Sequence, residues 1–315
     1  MSTKKNIPTK KLKHVYDSMG IYDAIYNRHL GYKMGEAGAF AAILHAEEKV
    51  PKSVLELFAS SGSRHKEFLS IQYKHWDKIK TYKGLDSFAP PEDENVIAAD
   101  AGYGDFGEKF DVILGFFYTA SSAVDPNSEN ANITIDHMKA TYENVVKHLN
   151  PGGIFIFDSA IDGYRVALAN ITGRESSDEY SEHDIPIGGK LRDEAQAEGI
   201  TIEDKDSVKL KFKTEVRYNR LTANVEDRYS NMKLMVNGKA RLRFKIEQPF
   251  CQQYFSEPEV VRMLLESGFE DIDFWGADYV EDSVYKMDKI LYADHYDEDD
   301  DGTMFPNIFV ARAPK

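Results

Sequence analysis

Between residues 51 and 157, short apolar runs alternate with helical patterns, and this alternation constrains the fold more than any other feature. The apolar runs span residues 54–58, 83–85, 96–99, 110–117 and 154–157. Such runs suit strands that are covered on both faces, and the helices between them supply the crossovers that parallel strands need. The pattern therefore predicts an α/β fold with a doubly wound, Rossmann-like parallel sheet.

Two helices of this core have clear signals at their ends. Before the last run, one apolar helical face is formed by Ile135, Met138, Tyr142, Val145, Val146 and Leu149. Asn150-Pro151-Gly152-Gly153 then ends that helix and turns the chain into the next strand. A later helix is predicted after Ser256, because Ser256 and Glu259 match a capping box and Gly268 suits the C-terminal end.

The pattern changes after residue 158. Apolar side chains of one parity mark a half-buried antiparallel strand at Val208, Leu210, Phe212, Val216 and Tyr218. Asn237-Gly238 then predicts a tight hairpin, because these residues tolerate the positive φ angles of such a turn. We therefore expect a basic tail and helical lid at residues 1–48, a core at 49–160 and 250–315, and an insert with an antiparallel β-sheet that caps the substrate at 161–249.

Charge and cysteine content exclude several classes of protein. The formal net charge of −14 disfavours a general affinity for nucleic acid, because such binding depends on cations that neutralise phosphates. The single cysteine, Cys251, cannot form an internal disulfide, and no apolar run is long enough to cross a bilayer. We therefore expect a cytoplasmic protein with neither a membrane nor a nucleic-acid partner.

Small and acidic residues occur at the ends of three successive apolar runs. They are Glu56, Ala59 and Gly62 at the first run, Asp86 and Ser87 after the second, and Asp100 and Ala101 after the third. A loop of small residues between a strand and a helix lets a ligand approach the backbone at the helix N-terminus. A carboxylate 24 positions beyond Gly62 can accept the hydroxyls of a ribose. The spacing therefore predicts a nucleotide site at this edge of the sheet.

In these residues the sequence resembles the class I methyltransferases, which use S-adenosylmethionine. Glu56 and Gly62 match the ends of the first motif of that family, in which an acid precedes three alternating glycines. Phe58 and Ser60 stand where the first two glycines of the motif are found. The resemblance extends through residues 108–113, 148–153 and 264–269, and it covers nearly the whole chain.

The resemblance implies a set of cofactor contacts. Asp86 falls where the family binds the ribose, and Asp100 and Ala101 fall where it contacts the adenine. The chain looks most like the small-molecule methyltransferases with an antiparallel insert, a group that includes amino-sugar N-methyltransferases. In that group a tyrosine at the position of Tyr26 reaches the methionine part of the cofactor. Phe116, which follows the fourth strand, is a further expected cofactor contact.

Two residues near the expected mouth of the site are candidate catalytic groups. Tyr118 and His137 could orient or deprotonate a substrate, although a packing role for Tyr118 and a surface position for His137 are the alternatives. Residues 116–122 lack the Asn- or Asp-Pro-Pro-aromatic motif that accompanies methylation of base amino groups. No acid cluster of the magnesium-dependent type is present either, so we expect no metal and a small-molecule substrate.

Two other functions remain open. A catalytically silent protein that binds S-adenosylmethionine would explain Phe58 and Ser60. Another nucleotide-binding Rossmann enzyme is the nearest competing class, although the Gly-x-Gly-x-x-Gly motif of nicotinamide enzymes is absent. Among acceptors, nitrogen is favoured over oxygen because an acidic protein attracts cationic amines. The sequence does not identify the acceptor molecule.

Charged segments outside this site are compatible with a homodimer. Basic side chains share one face of predicted strands at Lys209, Lys211, Lys213, Lys239, Arg241, Arg243 and Lys245. Such a surface could bind the acidic residues 297–301 of the same or another subunit. The acidic residues begin like a calcium loop, but Ile308 stands where that loop requires a glutamate, so a solvated acidic loop is expected there.

Overall fold

The computed structural model of the 315-residue chain describes residues 7–26, 30–59, 64–87, 95–115, 121–123, 131–159, 174–176, 180–219, 224–280, 283–289 and 307–315. These residues form two compact units, each with its own sheet. The first unit contains the helices α1 (Met19–Tyr26) and α5 (Lys190–Ala197), and the strands β1 (Thr9–Leu12), β8 (Arg174–Ser176), β9 (Ser181–Asp184), β10 (Val208–Asn219), β11 (Asn224–Val236), β12 (Lys239–Ile246) and β13 (Phe250–Tyr254).

The second unit contains the remaining helices and most of the remaining strands. Its helices are α2 (Leu30–Ala46), α3 (Arg64–Gln72), α4 (Ala131–His148) and α6 (Glu257–Glu266). Its strands are β2 (Ser53–Leu57), β3 (Thr81–Leu85), β4 (Val96–Ile97), β5 (Phe110–Gly115), β7 (Leu149–Ser159), β14 (Asp271–Val280), β15 (Ser283–Lys289) and β16 (Asn307–Arg312). A short strand, β6 (Ser121–Ala123), lies between β5 and α4 in the chain.

The sheet of the second unit has the order β15-β14-β16-β7-β5-β2-β3-β4. The five strands β7, β5, β2, β3 and β4 run parallel to their neighbours, whereas β16 is antiparallel to both β7 and β14. When the five parallel strands are numbered in chain order, they lie side by side in the sheet in the order 3-2-1-4-5. This is the strand order of a doubly wound sheet. The predicted Rossmann-like α/β fold is confirmed.

Both faces of this sheet are buried. Leu55 and Phe155 point to the face that packs against α4 and α6, and Val54 and Ile156 point to the face that packs against α2 and α3. Because successive residues of a strand point to opposite faces, burial of both faces requires apolar residues at consecutive positions. This requirement explains the continuous apolar runs in the sequence.

The predicted ends of α6 are confirmed. The backbone N–H of Ser256 donates to the carboxylate of Glu259 at 2.9 Å, and the side chain of Ser256 accepts from the backbone N–H of Glu259, as a capping box requires. Gly268, just beyond the helix, has a φ angle of 100°. These contacts fix α6 against the sheet, where Val260 and Leu264 are buried.

An ion-pair cluster joins the last strand to α2 and β14. Arg312 donates to Glu47 at 2.6 Å, to Asp273 at 2.6 Å and to Asp271 at 2.9 Å. Burial alone would lower the pKa of Arg312, but the hydrogen bonds that it donates to Glu47 and Asp273 outweigh burial and raise that pKa above its ordinary value. Arg312 is therefore a permanent cation that connects three elements of the second unit.

The first unit is built on an antiparallel sheet. Its main strand order is β1-β12-β11-β10-β8, with β9 also paired to β10 and β13 to β11. Asn237 and Gly238 form the β11–β12 turn with φ angles of 49° and 73°, which confirms the predicted hairpin. One face of the sheet is buried together with residues of α1 and α5, and includes Leu210 and Phe212.

One expectation for the N-terminus is wrong. The lysine-rich start of the chain was expected to be a basic tail, but Thr9–Leu12 forms β1, a parallel partner of β12. The backbone N–H of Glu247 donates to the carbonyl of Leu12 at 2.9 Å, and Leu12 is buried. A four-residue strand has too few residues to show a period, and its partner lies far along the chain. The helices of the predicted lid, α1 and α2, belong to different units.

Candidate functional site

The topology of the second unit indicates where a ligand binds. From β2 the chain crosses to β3 and β4 on one side, and from β5 it crosses to β7 on the other side. The connections therefore diverge between β2 and β5, which are direct neighbours. In doubly wound sheets the carboxyl ends of the strands at this switch point form the ligand crevice. The residues that follow β2, β3 and β4 lie along that edge.

The loop after β2 has the backbone of a glycine-rich turn without the glycine. Phe58 has a φ angle of 58°, in the left-handed region that glycine adopts readily and other residues adopt at a cost of about 1–2 kcal/mol. Its side chain is 45% exposed. Phe58 therefore keeps the conformation expected of the first motif glycine and is exposed at the switch point.

Ala59 lies between this loop and β3. Its backbone N–H donates to the carbonyl of Leu85 at 3.1 Å, and its side chain is buried. A Cβ atom at Gly84 would lie 2.6 Å from the Cβ of Ala59, so the close approach of the loop to β3 requires glycine at position 84. The predicted cofactor residue Ala59 therefore holds the β2 loop beside the end of β3.

Asp86 lies immediately after β3. Its backbone N–H donates to the carbonyl of Ile97 at 3.0 Å, which extends the pairing of β3 with β4 by one residue. The side chain of Asp86 is partly exposed, and Ser87 is exposed. This arrangement brings the carboxyl group to the end of the strand next to β2, as the sequence predicted.

Asp100 organises the loop after β4. One carboxylate oxygen, Oδ1, accepts hydrogen bonds from the backbone N–H groups of Gly102 at 2.8 Å and Tyr103 at 3.1 Å. With its proton on Nε2, the ring of His137 donates to Oδ1 at 3.1 Å and to Oδ2 at 3.2 Å. The structure therefore brings together two predicted site residues, Asp100 and His137, which the sequence assigned to different roles.

A polar stripe on α4 holds this loop along its length. Its members, at spacings of four, three and four, are His137, Thr141, Asn144 and His148. The buried amide of Asn144 donates to the carbonyls of Ala101 at 3.0 Å and Gly104 at 2.8 Å. The N–H of Phe106 lies 3.5 Å from Nε2 of His148, and the two rings pack with their centroids 4.3 Å apart. Asn144 and His148 are contacts of the site loop that sequence reasoning missed, although their helical spacing was visible.

Glu56 lies within the sheet. It is 2% exposed, and its Oε2 accepts a hydrogen bond from the hydroxyl of Tyr82 at 2.7 Å. Buried carboxylates require such partners, so Tyr82 of β3 is part of the reason that an acid is tolerated in β2. The cofactor contact predicted for Glu56 stays a prediction.

Several predicted site positions lie outside the described residues. They are Gly62, Phe116, Tyr118, the side chain of Tyr26 and the acidic residues 297–301. Within the described ranges, no group of three or more His, Cys, Asp and Glu side chains is arranged to hold a metal ion. No helix in those ranges is long and apolar enough to span a membrane.

Comparisons with known proteins gave structural similarities only. No protein-family model matches the chain, and no curated protein matches it. Streptomyces venezuelae DesVI superposes with a TM-score of 0.50 and 11% identity, over 93% of this chain and 97% of that one. An S-adenosylmethionine-dependent methyltransferase from Clostridium acetobutylicum gives 0.47 and 15% over 94% and 97%. CalS10, an amino pentose methyltransferase from Micromonospora echinaspora, gives 0.48 and 14% over 93% and 96%.

At sequence identities this low, structural similarity indicates a shared fold and not a shared activity. The DesVI superposition covers nearly all of both chains, and the strand order independently defines a doubly wound sheet that continues into antiparallel strands. The chain therefore has a Rossmann-like α/β fold with an antiparallel extension, similar to the fold of DesVI.

Proposed function

We propose that this protein is an S-adenosylmethionine-dependent methyltransferase that acts on a small molecule. The observation that carries the proposal is the position of two carboxylates, Asp86 and Asp100, after the neighbouring strands β3 and β4. Both lie on the strand edge that begins at the β2 loop, beside the switch point. Carboxylates here suit a nucleoside, because the ribose hydroxyls and the adenine amino group are all hydrogen-bond donors.

The acceptor groups of the site fit that ligand. A carboxylate has about four lone-pair positions. At Asp100, Oδ1 accepts from two backbone N–H groups and shares the His137 proton with Oδ2. Oδ2 therefore retains capacity to accept from an adenine amino group, while Asp86 accepts from the ribose.

Methyl transfer requires of the protein mainly that it aligns the methyl donor with the acceptor. S-adenosylmethionine supplies a methyl group already activated by a sulfonium, so no general acid is needed to expel the leaving group. The residues of this chain would bind the nucleoside, fix the acceptor in line and exclude water, which together can supply most of the acceleration. A neutral amine acceptor has only to lose a proton afterwards. The net charge of −14 favours the approach of a cationic amine, so we propose N-methylation in preference to O-methylation.

The contact with Asp100 suggests a positioning role for His137 in place of the catalytic role predicted from the sequence. We expect His137→Ala to weaken S-adenosylhomocysteine binding about fivefold, since one hydrogen bond to a half-exposed carboxylate is lost, and to leave kcat at saturating cofactor unchanged. His137→Gln, which keeps a donor, should recover part of the affinity. Calorimetry and steady-state kinetics separate the roles: a general base would instead lower kcat roughly 100-fold or more at unchanged affinity.

The proposed activity is tested with methyl-labelled S-adenosylmethionine. Parallel reactions should contain pools of small amines and phenols, DNA, RNA and protein. We expect label in the small-molecule fraction, and in amines before phenols. Label found only in a macromolecular fraction would contradict the proposed substrate class.

The N-terminal lid needs a point variant for its test. Deletion of residues 1–32 would also remove β1, an edge strand of the antiparallel sheet, so loss of turnover in that protein would be ambiguous. Tyr26→Phe changes a single hydroxyl. If Tyr26 contacts the methionine part of the cofactor, this variant binds S-adenosylmethionine modestly more weakly and unfolds at the same temperature as the parent.

A catalytically silent S-adenosylmethionine-binding protein is the second candidate. The observation that favours it is Phe58, which holds a glycine-like conformation with a large side chain at the switch point. Under this alternative the protein binds S-adenosylmethionine, yet no pool accepts label. Transfer of the labelled methyl group to any small molecule eliminates this alternative.

A further inference from the structure

The outer face of the antiparallel sheet carries cations that face one another across the strands. Lys211 of β10 is opposite Lys233 of β11, and Lys233 is opposite Arg243 of β12. On the next strand, Lys245 of β12 is opposite Lys11 of β1. Like charges directly opposite one another destabilise a sheet, so this arrangement has a cost within the unit itself.

At their other ends, β10 and β11 carry cross-strand pairs of opposite charge. Farther along β10 and β11, Glu215 is opposite Arg228 and Arg217 is opposite Glu226. There, Arg217 donates to Glu215 at 2.6 Å and Arg228 donates to Glu226 at 2.8 Å. One end of the sheet is therefore balanced in charge, which shows that the strands accommodate alternating charges where the sequence supplies them.

Some of the cations at the other end have partners. Lys211 pairs with Glu182 of β9, and Lys209 lies 3.9 Å from Glu182 and 3.7 Å from Asp184. Tyr180 covers Lys211, whose Nζ lies 4.8 Å from the ring centroid. The β9 edge is therefore neutralised locally, and the surplus of positive charge lies on β11, β12 and β1.

We define the cationic stripe as Lys11, Lys233, Arg241, Arg243 and Lys245. Arg241, Arg243 and Lys245 are exposed on alternate positions of β12. Glu247 lies 3.8 Å from Lys245, and the other four members of the stripe form no ion pair within the described part of the chain. Among the described residues the stripe is thus a largely exposed positive surface with a single acidic neighbour, on a protein whose net charge is −14.

We propose that the cationic stripe binds the acidic segment, residues 294–301, of a second copy of this chain. The segment contains six carboxylates and no lysine or arginine, at Asp294, Asp297, Glu298, Asp299, Asp300 and Asp301. Its charge complements the stripe, and its structure lies outside the described residues. A nucleic-acid partner is disfavoured, because the rest of an acidic protein repels phosphates.

Symmetry strengthens this interaction. In a two-fold dimer, each copy offers one stripe and one acidic segment, so two equivalent contacts form together. The second contact then forms at a high effective concentration, which compensates for the weakness of individual exposed ion pairs. The dimer is held chiefly by exposed charges, so it dissociates in salt. The proposal is independent of the catalytic one.

Sedimentation velocity over a range of protein concentrations tests the proposal. We expect a dimer in about 0.1 M salt whose association constant falls at least tenfold in about 1 M salt, because the Debye length falls from about 10 Å to about 3 Å. The variant Arg241→Glu with Arg243→Glu should be monomeric at both salt concentrations. The matched control, Lys78→Glu with Lys205→Glu, reverses two exposed cations outside the stripe and should dimerise like the parent.

A charge exchange distinguishes a second copy from docking within one chain. Asp299→Lys with Asp300→Lys should also be monomeric alone. Mixed with the Arg241→Glu, Arg243→Glu protein, it should form a heterodimer, since one contact then joins a native stripe to a native acidic segment and the substituted positions carry opposite charges at the other contact. Absence of that heterodimer, a parent that is monomeric at low salt, or a dimer that survives the Arg241→Glu, Arg243→Glu change would each overturn the proposal.

Discussion

Replacing Asp86 with alanine should weaken the binding of S-adenosylmethionine about 10- to 150-fold, which corresponds to about 1.5–3 kcal/mol. The loss follows because the carboxylate at the end of β3 is proposed to accept the ribose hydroxyls in two charge-assisted hydrogen bonds. Isothermal titration calorimetry with S-adenosylhomocysteine measures the effect without turnover.

A matched control separates loss of the contact from loss of charge. Asp77→Ala also removes one carboxylate from the second unit, but Asp77 is exposed and pairs only with its neighbour Lys78 among the contacts described. Its effect on affinity should be negligible. If Asp86→Ala binds as tightly as the parent and the Asp77 variant, the ribose assignment is wrong.

The largest expected effect on stability comes from Arg312. Arg312→Met removes the guanidinium that Glu47 and Asp273 share, and leaves the carboxylate of Glu47, whose side chain is only 13% exposed, without that cation. For Glu47, whose ion pair is with Arg312, removing one partner of such a buried pair costs about 3–5 kcal/mol. Denaturant titration should therefore show a much lower midpoint for the unfolding of the second unit.

The comparison variant is Arg262→Met. Arg262 lies on α6 with its side chain 69% exposed, and its nearest carboxylate oxygen, on Glu266, is 3.9 Å away. Such a pair contributes less than about 1 kcal/mol, so this change should leave the midpoint nearly unchanged. Adding Glu47→Leu to Arg312→Met should restore part of the lost stability. Equal midpoints for the two single variants would show that the Arg312 cluster does not stabilise the second unit.

The parallel core could be predicted because its signals are local. A strand buried on both faces is apolar at consecutive positions, as residues 54–57 are with the single exception of Glu56. The hairpin at Asn237-Gly238 and the capping box of Ser256 and Glu259 are equally local, since each depends on residues within one turn. In these segments the local preference and the tertiary structure agree.

The features that were missed depend on distant partners. β1 becomes a strand only because β12 offers it an edge, and nothing in its four residues indicates that pairing. The polar spacing of His137, Asn144 and His148 was readable as a second face of α4. The sequence did not show that the loop after β4 lies against that face.

The candidate site was predictable in position but not in detail. The carboxyl ends of parallel strands meet at one edge, so the placement of Asp86 and Asp100 followed from the strand pattern. The partners of the acids did not follow, because the contacts of Glu56 with Tyr82 and of Asp100 with His137 join residues that are far apart in sequence. Side-chain partners are set by packing across elements, which no local pattern encodes.

Calorimetric titration of the parent protein with S-adenosylmethionine and S-adenosylhomocysteine tests the central claim most directly. We predict saturable binding of both at a single site, competition between them, and transfer of label from S-adenosylmethionine to a small amine under the same conditions. Absence of binding by either compound to folded protein would contradict the proposed function.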